Sequence, residues 1–398
     1  MVAEVLLFLV LGVAAGVAMG IVPGVHPNMI VLAVPLIVSM GIPVPYVIVF
    51  LVALAVTNTF VDFVPSVMLG ATEAGNELAA LPGHKMVLEG RGYEAVKLVV
   101  LGGMGSFVLC ILLLPLIAFI FPPLYEAVRA YTHLLLMFVA LVMILTENSA
   151  KKKCIAAFVF LFSGVIGFAA ALAPVNGSLA LFPMLSGFFG TSVLLMQLRS
   201  KTSVPQQKLT EFFVSNRTLT RGTVSGLCGG VVAGLLPGVG PSQVASLVSI
   251  EKNDKSFLVS IGALAAANTV VSLAALWLIG KSRSGVAVAV EQLSPVGFSE
   301  FALIIAAAAA AGGAAIVVSL WLARRLAGSI GNINYAALNA AVLVLLLLLV
   351  VAFTGLYGLL LAVICTGFGI FVSLSGVKRG LMMGSLMLPV MVFYLGLP

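Results

Sequence analysis

Charge is what this chain has least of. Asp, Glu, Lys and Arg make up 8% of its 398 residues, where a soluble domain carries about 25%. With 62% of residues hydrophobic, the chain cannot clothe a water-facing surface in its own side chains. Soluble enzymes, nucleic-acid binders and disordered segments are excluded together. Histidine is confined to His26, His84 and His133, mutually isolated, so the H-E-x-x-H spacing of a zinc hydrolase is missing and no metal site is read. Aspartate is confined to Asp62 and Asp254. Asp254 lies in the polar run E-K-N-D-K, so a pair of intramembrane aspartates for proteolysis is missing as well, and no catalytic residue is assigned. The cysteines, Cys110, Cys154, Cys228 and Cys365, are scattered through apolar stretches without paired spacing and read as small buried residues of helices. No basic flank precedes the first apolar run, Val5 to Val22, which therefore reads as a first span and not a cleaved leader.

What the chain has in excess is apolar sequence of membrane length. A crossing needs about 20 apolar residues, and candidate segments run near 4–21, 27–40, 44–70, 94–121, 127–146, 154–174 and 178–198, then 222–236, 239–250, 256–280, 299–323, 335–353, 356–376 and 380–397. Several are too short to cross alone. The pattern predicts an all-α polytopic protein of the cell membrane with roughly 10–12 transmembrane helices plus re-entrant or broken pieces; the period-2 alternation of a membrane barrel is absent. The formal net charge of +7 sits in short clusters between spans, at Lys151–Lys153, at Arg199, Lys201, Lys208, Arg217 and Arg221, at Arg324–Arg325 and at Lys378–Arg379. Such clusters mark cytoplasmic loops, and span counting places residues 71–97 on the same side.

The two halves resemble each other. Gly12–Pro27 (GVAAGVAMGIVPGVHP) aligns without gaps on Gly226–Pro241 (GLCGGVVAGLLPGVGP), identical at eight of sixteen positions. Ala53–Gly75 likewise aligns on Ala263–Gly285, pairing Asn58 with Asn268 and Thr59 with Thr269. Self-similarity of this kind signals duplication: residues 1–200 as the first repeat, 201–218 as a cytoplasmic linker and 219–398 as the second repeat. With basic loops inside, the Asn58 span runs inward and the Asn268 span outward, which predicts an inverted-topology repeat with a substrate site where the halves meet.

Pro23, Gly24, Val25, His26, Pro27 and Asn28, and their counterparts Pro237, Gly238, Val239, Gly240, Pro241 and Ser242, form the candidate substrate site. Each motif holds two prolines without an N–H and a glycine tolerant of positive φ, so an uninterrupted helix is disfavoured there. Helices beginning at Asn28 and Ser242, both good N-cap residues, would aim positive dipole ends at an anion. A single such motif is commonly a proline kink; two in corresponding places point to a binding site. Asn58, Thr59, Asn268 and Thr269 add side-chain oxygens. Asp62, one turn from Asn58 on the same face, is the candidate ion-coupling residue together with Asn58, although Ser272 stands at its repeat position. Lys281 and Arg283, on the extracytoplasmic side against the charge trend, are candidate anion contacts. Gly12, Gly16 and Gly20, matched by Gly226, Gly230 and Gly234, make a close-packing face.

The Gly-rich helices ending in PGVHP and PGVGP, with LPGHKMVLEGRGYEAVKL at 81–98, resemble the large membrane subunit of the tripartite tricarboxylate transporters, the TctA family. The resemblance implies a multi-pass carrier of small carboxylate anions, driven by H⁺ or Na⁺ without another cofactor. It also implies a small membrane subunit and an extracytoplasmic binding protein as partners, and it places the Pro-Gly residues around the substrate. A homodimer and the surrounding lipid bilayer complete the expected associations; nucleic acid is not among them. The alternative on a similar duplicated scaffold is a translocase of polyprenyl-phosphate lipids.

Overall fold

The computed structural model describes residues 2–22, 30, 34–69, 77–172, 177–199, 205–209, 214–235, 244, 253–329 and 334–395. Among them the secondary structure is helical throughout, with no strand. That is the outcome the apolar composition forces, since a backbone in hydrocarbon must satisfy its own hydrogen bonds. Eight helices are long and apolar enough to cross a bilayer, or nine if one bent pair is a single span.

The first half contains α1 (Val2–Ile21), a short α2 (Val34–Ser39), α3 (Val44–Val61), α4 (Phe63–Leu69), α5 (Glu77–Leu88) and α6 (Gly92–Leu112). Then come α7 (Leu114–Arg129), α8 (Thr132–Leu145), α9 (Ala150–Ala171) and α10 (Gly177–Leu185), which passes through a π-helical turn (Ser186–Thr191) into α11 (Ser192–Arg199). The second half holds α12 (Asn216–Leu235), α13 (Asp254–Leu278), α14 (Gly285–Leu293), α15 (Phe298–Ser329), α16 (Tyr335–Ser375) and, after a 3₁₀ turn, α17 (Gly384–Tyr394).

One boundary departs from the sequence expectation. The single span read over 94–121 breaks at Leu113, where Pro115 opens α7, because proline cannot continue the hydrogen-bond ladder of the preceding turn. Helices α7 and α8 then meet at 84°. By contrast, the break expected between 335–353 and 356–376 is present. Gly355 adopts φ 62°, ψ −159° inside α16, a backbone open to glycine alone. The chain reverses there. Asn339 bonds Gln197 at 3.2 Å and Leu346 lies at Gly190, so limb 335–354 runs antiparallel to α11. Ala362 and Cys365 lie at Gly187, and Gly369 lies at Ser192, so limb 356–375 runs parallel to it. The element is a hairpin of two crossings.

The repeated glycines set the central packing. A methyl group on Gly12, Gly16 or Gly20 would overlap Phe50 and Ala53, Leu54 and Thr57, or Val61, respectively. On Gly226, Gly230 or Gly234 it would overlap Ser260 and Ala263, Ala267, or Val271. Residue numbers rise together in both series, so α1 runs parallel to α3 and α12 parallel to α13. At the start of α1, Phe8 stacks on Tyr46 with centroids 5.5 Å apart, and the Tyr46 hydroxyl donates to Glu4 at 2.9 Å. Ile21 and Val44 therefore stand at opposite ends of α3, roughly 27 Å apart along its axis at 1.5 Å per residue.

The halves interlock. Helix α6 crosses α13 with Gly102 on the Val259 carbonyl and Gly262 on the Val99 carbonyl, while α15 packs on α3 and α6, seating Gly312 against Phe107. The ends align as well. Met68 of α4 abuts Gly92 at the start of α6, and Glu94 of α6 meets Lys255 of α13 at 2.8 Å. Helix α3 thus leads into the face from which α6 and α13 depart, and α3 and α13 point in opposite directions. The basic segments gather accordingly: Lys208 N donates to the Gly90 carbonyl at 2.8 Å, Leu209 shares a cavity with Arg324 and Arg325, and Lys152 Nζ donates to the Gly376 carbonyl at 2.9 Å.

Candidate functional site

Of the candidate residues, Pro23, Gly24, Val25, His26, Pro27, Asn28, Pro237, Gly238, Val239, Gly240, Pro241 and Ser242 lie outside the described residues. What is described is where the helices leading into them end. Gly20, one residue before the end of α1, packs on Val61 and on the Asp62 backbone nitrogen, and Gly234 packs on Val271 with Asn268 Oδ1 at 4.0 Å. The chain enters both Pro-Gly motifs beside the polar residues of α3 and α13.

Those residues converge. Thr59 Oγ1 and Thr269 Oγ1 lie 3.0 Å apart, each also bonding its own helix at the Ala55 and Ala265 carbonyls. They are the same position of the aligned halves, brought into contact with itself. One turn away, Asn58 is 4% exposed and Asp62 3% exposed. Asp62 Oδ1 accepts from Ser66 Oγ at 3.3 Å. Asn58 Nδ2 and Thr57 Oγ1 are buried with no hydrogen-bond partner. An unmade hydrogen bond of this kind costs about 1–3 kcal/mol, and native structures reserve such groups for strain, ordered water or ligands. Asn268 and Thr269 are half-buried.

Lys281 and Arg283 do not join this group. They follow the C-terminus of α13, with Lys281 exposed and the Arg283 guanidinium carbon 5.0 Å from the centre of the Tyr125 ring. Along α13, Thr269 is about 13 Å from Leu278 at 1.5 Å per residue. Ser284 caps α14 by accepting from Ala287 N at 3.2 Å.

Sequence reasoning did not find Thr57, Ser66 or the ion-pair network at the starts of α6 and α13. In that network Arg91 holds Glu94 at 2.9 and 3.0 Å, Lys255 joins Glu94 at 2.8 Å and Lys85 meets Asp254 at 3.3 Å. Thr57 carries no repeat signal, since Ala267 is its counterpart. Ser66 was readable as the residue one turn beyond Asp62. The Glu94 network joins residues far apart in the chain, and nothing local in the sequence marks it. Among the described residues, no cluster of three His, Cys, Asp or Glu side chains could hold a metal ion.

Interlocked apolar helices of membrane length, with a buried polar centre between halves, define a multi-pass membrane protein. The chain matches the family model described as "Tripartite tricarboxylate transporter TctA family" over residues 6–384. It belongs to that family. It is also similar to the uncharacterized protein MJ1079 of Methanocaldococcus jannaschii, with 28% identity over 359 residues, covering 87% of this chain and 88% of the relative. No solved structure matches it. The protein is a transporter component located in the membrane.

Proposed function

We propose that the protein is the carrier subunit of a secondary transporter for small organic anions, di- or tricarboxylates, coupled to H⁺ or Na⁺. The observation that carries this reading is the contact of Thr59 with Thr269 between two helices of opposite direction. Equivalent residues touch each other where a two-fold relation between halves has its axis, and carriers built on inverted repeats bind substrate at that junction. In this reading residues 1–200 and 219–398 are the repeats, related by an axis in the membrane plane. In this reading the Pro-Gly motifs supply main-chain amides to a carboxylate. Asn58, Thr59, Asn268 and Thr269 contribute side-chain oxygens. Asp62, a carboxylate among apolar helices, is the coupling group. Tripartite systems pair such a subunit with a small membrane subunit and a periplasmic binding protein, and both are proposed partners here.

Counterflow in proteoliposomes loaded with unlabelled citrate or succinate tests the reading. Labelled substrate is expected to accumulate in response to a Na⁺ or H⁺ gradient. Asp62→Asn is expected to retain counterflow at least in part and to lose the gradient response. Counterflow and gradient response that survive both Thr59→Val and Asp62→Asn unchanged would remove the reading, as would the absence of any carboxylate counterflow with the small subunit present.

A further inference from the structure

Among the described residues, nothing fills one edge of the Arg283 guanidinium. The left-handed break at Gly280 (φ 59°) ends α13, and Ser284 opens α14, so Arg283 stands on the short bridge between two helices. Its guanidinium carbon lies 5.0 Å from the Tyr125 ring centre, and Tyr125 itself is 5% exposed. Packing over a buried ring restrains the planar guanidinium. Within that plane, Nε and Nη2 are both buried and both lack a hydrogen-bond partner. These two nitrogens share one edge of the group, the parallel N–H pair that grips a carboxylate bidentately. The nearest acid in sequence to Tyr125 does not serve, because Glu126 pairs with Arg129 at 3.6 Å. Buried donors of a permanent cation are costly to leave unpaired, and the positive end of α14 beside them adds to the preference for an anion. Exposed Lys281, two residues earlier, places a second cation on the approach.

We propose that Arg283 and Tyr125 form a carboxylate-binding site at the extracytoplasmic end of α13, separate from the Thr59–Thr269 centre, where a substrate carboxylate is held before it moves inward. The inference deepens the carrier reading and rests on it for the charge of the substrate. Trp277 provides a local reporter: it stacks on Phe301 with centroids 4.6 Å apart at the same end of α13, and the other tryptophan of the chain is Trp321. In the full-length protein carrying Trp321→Phe, citrate and succinate are expected to shift Trp277 emission saturably. Arg283→Gln is expected to abolish the shift. Arg283→Lys keeps the charge and loses the fork, and is expected to raise the half-saturating concentration about tenfold and the counterflow KM with it, while Vmax stays within about twofold. Equal half-saturation in all three proteins, or no shift with either acid in the starting protein, overturns the site. Counterflow with unchanged KM in Arg283→Gln also discards the site and leaves the carrier reading standing. A saturable, Arg283-dependent shift without any counterflow retains the site and discards the carrier reading.

Discussion

At the scale of single residues, Asn58 separates a binding role from a structural one. Its amide nitrogen is buried without a partner, so an apolar replacement of the same γ-branched shape removes an unmet donor and not a hydrogen bond. Asn58→Leu is therefore expected to leave the melting temperature in detergent nearly unchanged or slightly raised, while counterflow falls by an order of magnitude or more. A large drop in melting temperature would show that the side chain serves packing. The glycines make the opposite case. A Cβ on Gly16 would sit 2.6 Å from the Leu54 carbonyl and 2.7 Å from Thr57 Cβ, and main chain cannot swing aside as a side-chain tip can. Gly16→Ala is expected to cost about 1–3 kcal/mol, read as lost thermal stability, with Gly230→Ala behaving alike. His84 supplies a pH dependence. It lies on α5, outside the spanning helices, and burial holds its imidazole below the ordinary value despite a hydrogen bond with the Val67 backbone. The unfolded chain, titrating near 6.5, then binds more protons than the folded one as pH falls, so stability is lost below about pH 6.5. Melting between about pH 7.5 and 5.5 is expected to fall less steeply in His84→Gln than in the parent.

At the scale of elements, the two ends of the central bundle are closed by different chemistry. On the cytoplasmic face Glu94, with 11% of its side chain exposed, joins Lys255 of α13 and Arg91. On the opposite face α13 and α15 are joined by Trp277 on Phe301 and Phe298. The first contact is partly solvated and salt-sensitive, and the second is not. Glu94→Gln leaves Lys255 without its carboxylate and is expected to loosen the cytoplasmic face alone. In a background without the native cysteines, Thr59→Cys should then react faster with an impermeant maleimide from the cytoplasmic side, its rate from the other side unchanged. Equal rates with and without Glu94→Gln would show that the ion pairs do not close that face. Elements also show what the sequence makes legible. Every helix long enough to cross was visible as an apolar run, and the reversal at Gly355 was visible because glycine interrupts one. The break at Leu113 was hidden, since Leu-Leu-Pro is as apolar as its neighbours and hydropathy does not register a missing N–H. The Glu94–Lys255 pair was hidden for a different reason, because its partners are brought together only by the crossing of α6 and α13 at Gly102 and Gly262.

At the scale of the whole molecule, the interlocking of the two halves has a consequence for the proposed carrier. Each half buries its first glycine-rich helix against its own neighbour, α1 on α3 and α12 on α13, while α6 and α15 each pack into the opposite half. Neither half keeps its central helix covered alone, so in the carrier reading we propose, alternation between faces turns about the point where they meet. The contact between equivalent polar residues there is Thr59 with Thr269, at 3.0 Å. A Thr59→Cys, Thr269→Cys pair, in a chain without its native cysteines and with a protease site placed at positions 201–204, is expected to form a disulfide under mild oxidation, because the oxygen atoms replaced already stand within hydrogen-bonding distance. Cleavage should then yield a single band before reduction and two after it. The bridged protein is expected to retain bound substrate and to lose counterflow, recovering it on reduction, since a covalent link at the pivot restrains the helices that must tilt. Two bands before reduction would separate the halves at this point, and the two-fold relation of their equivalent helices would fall with that contact.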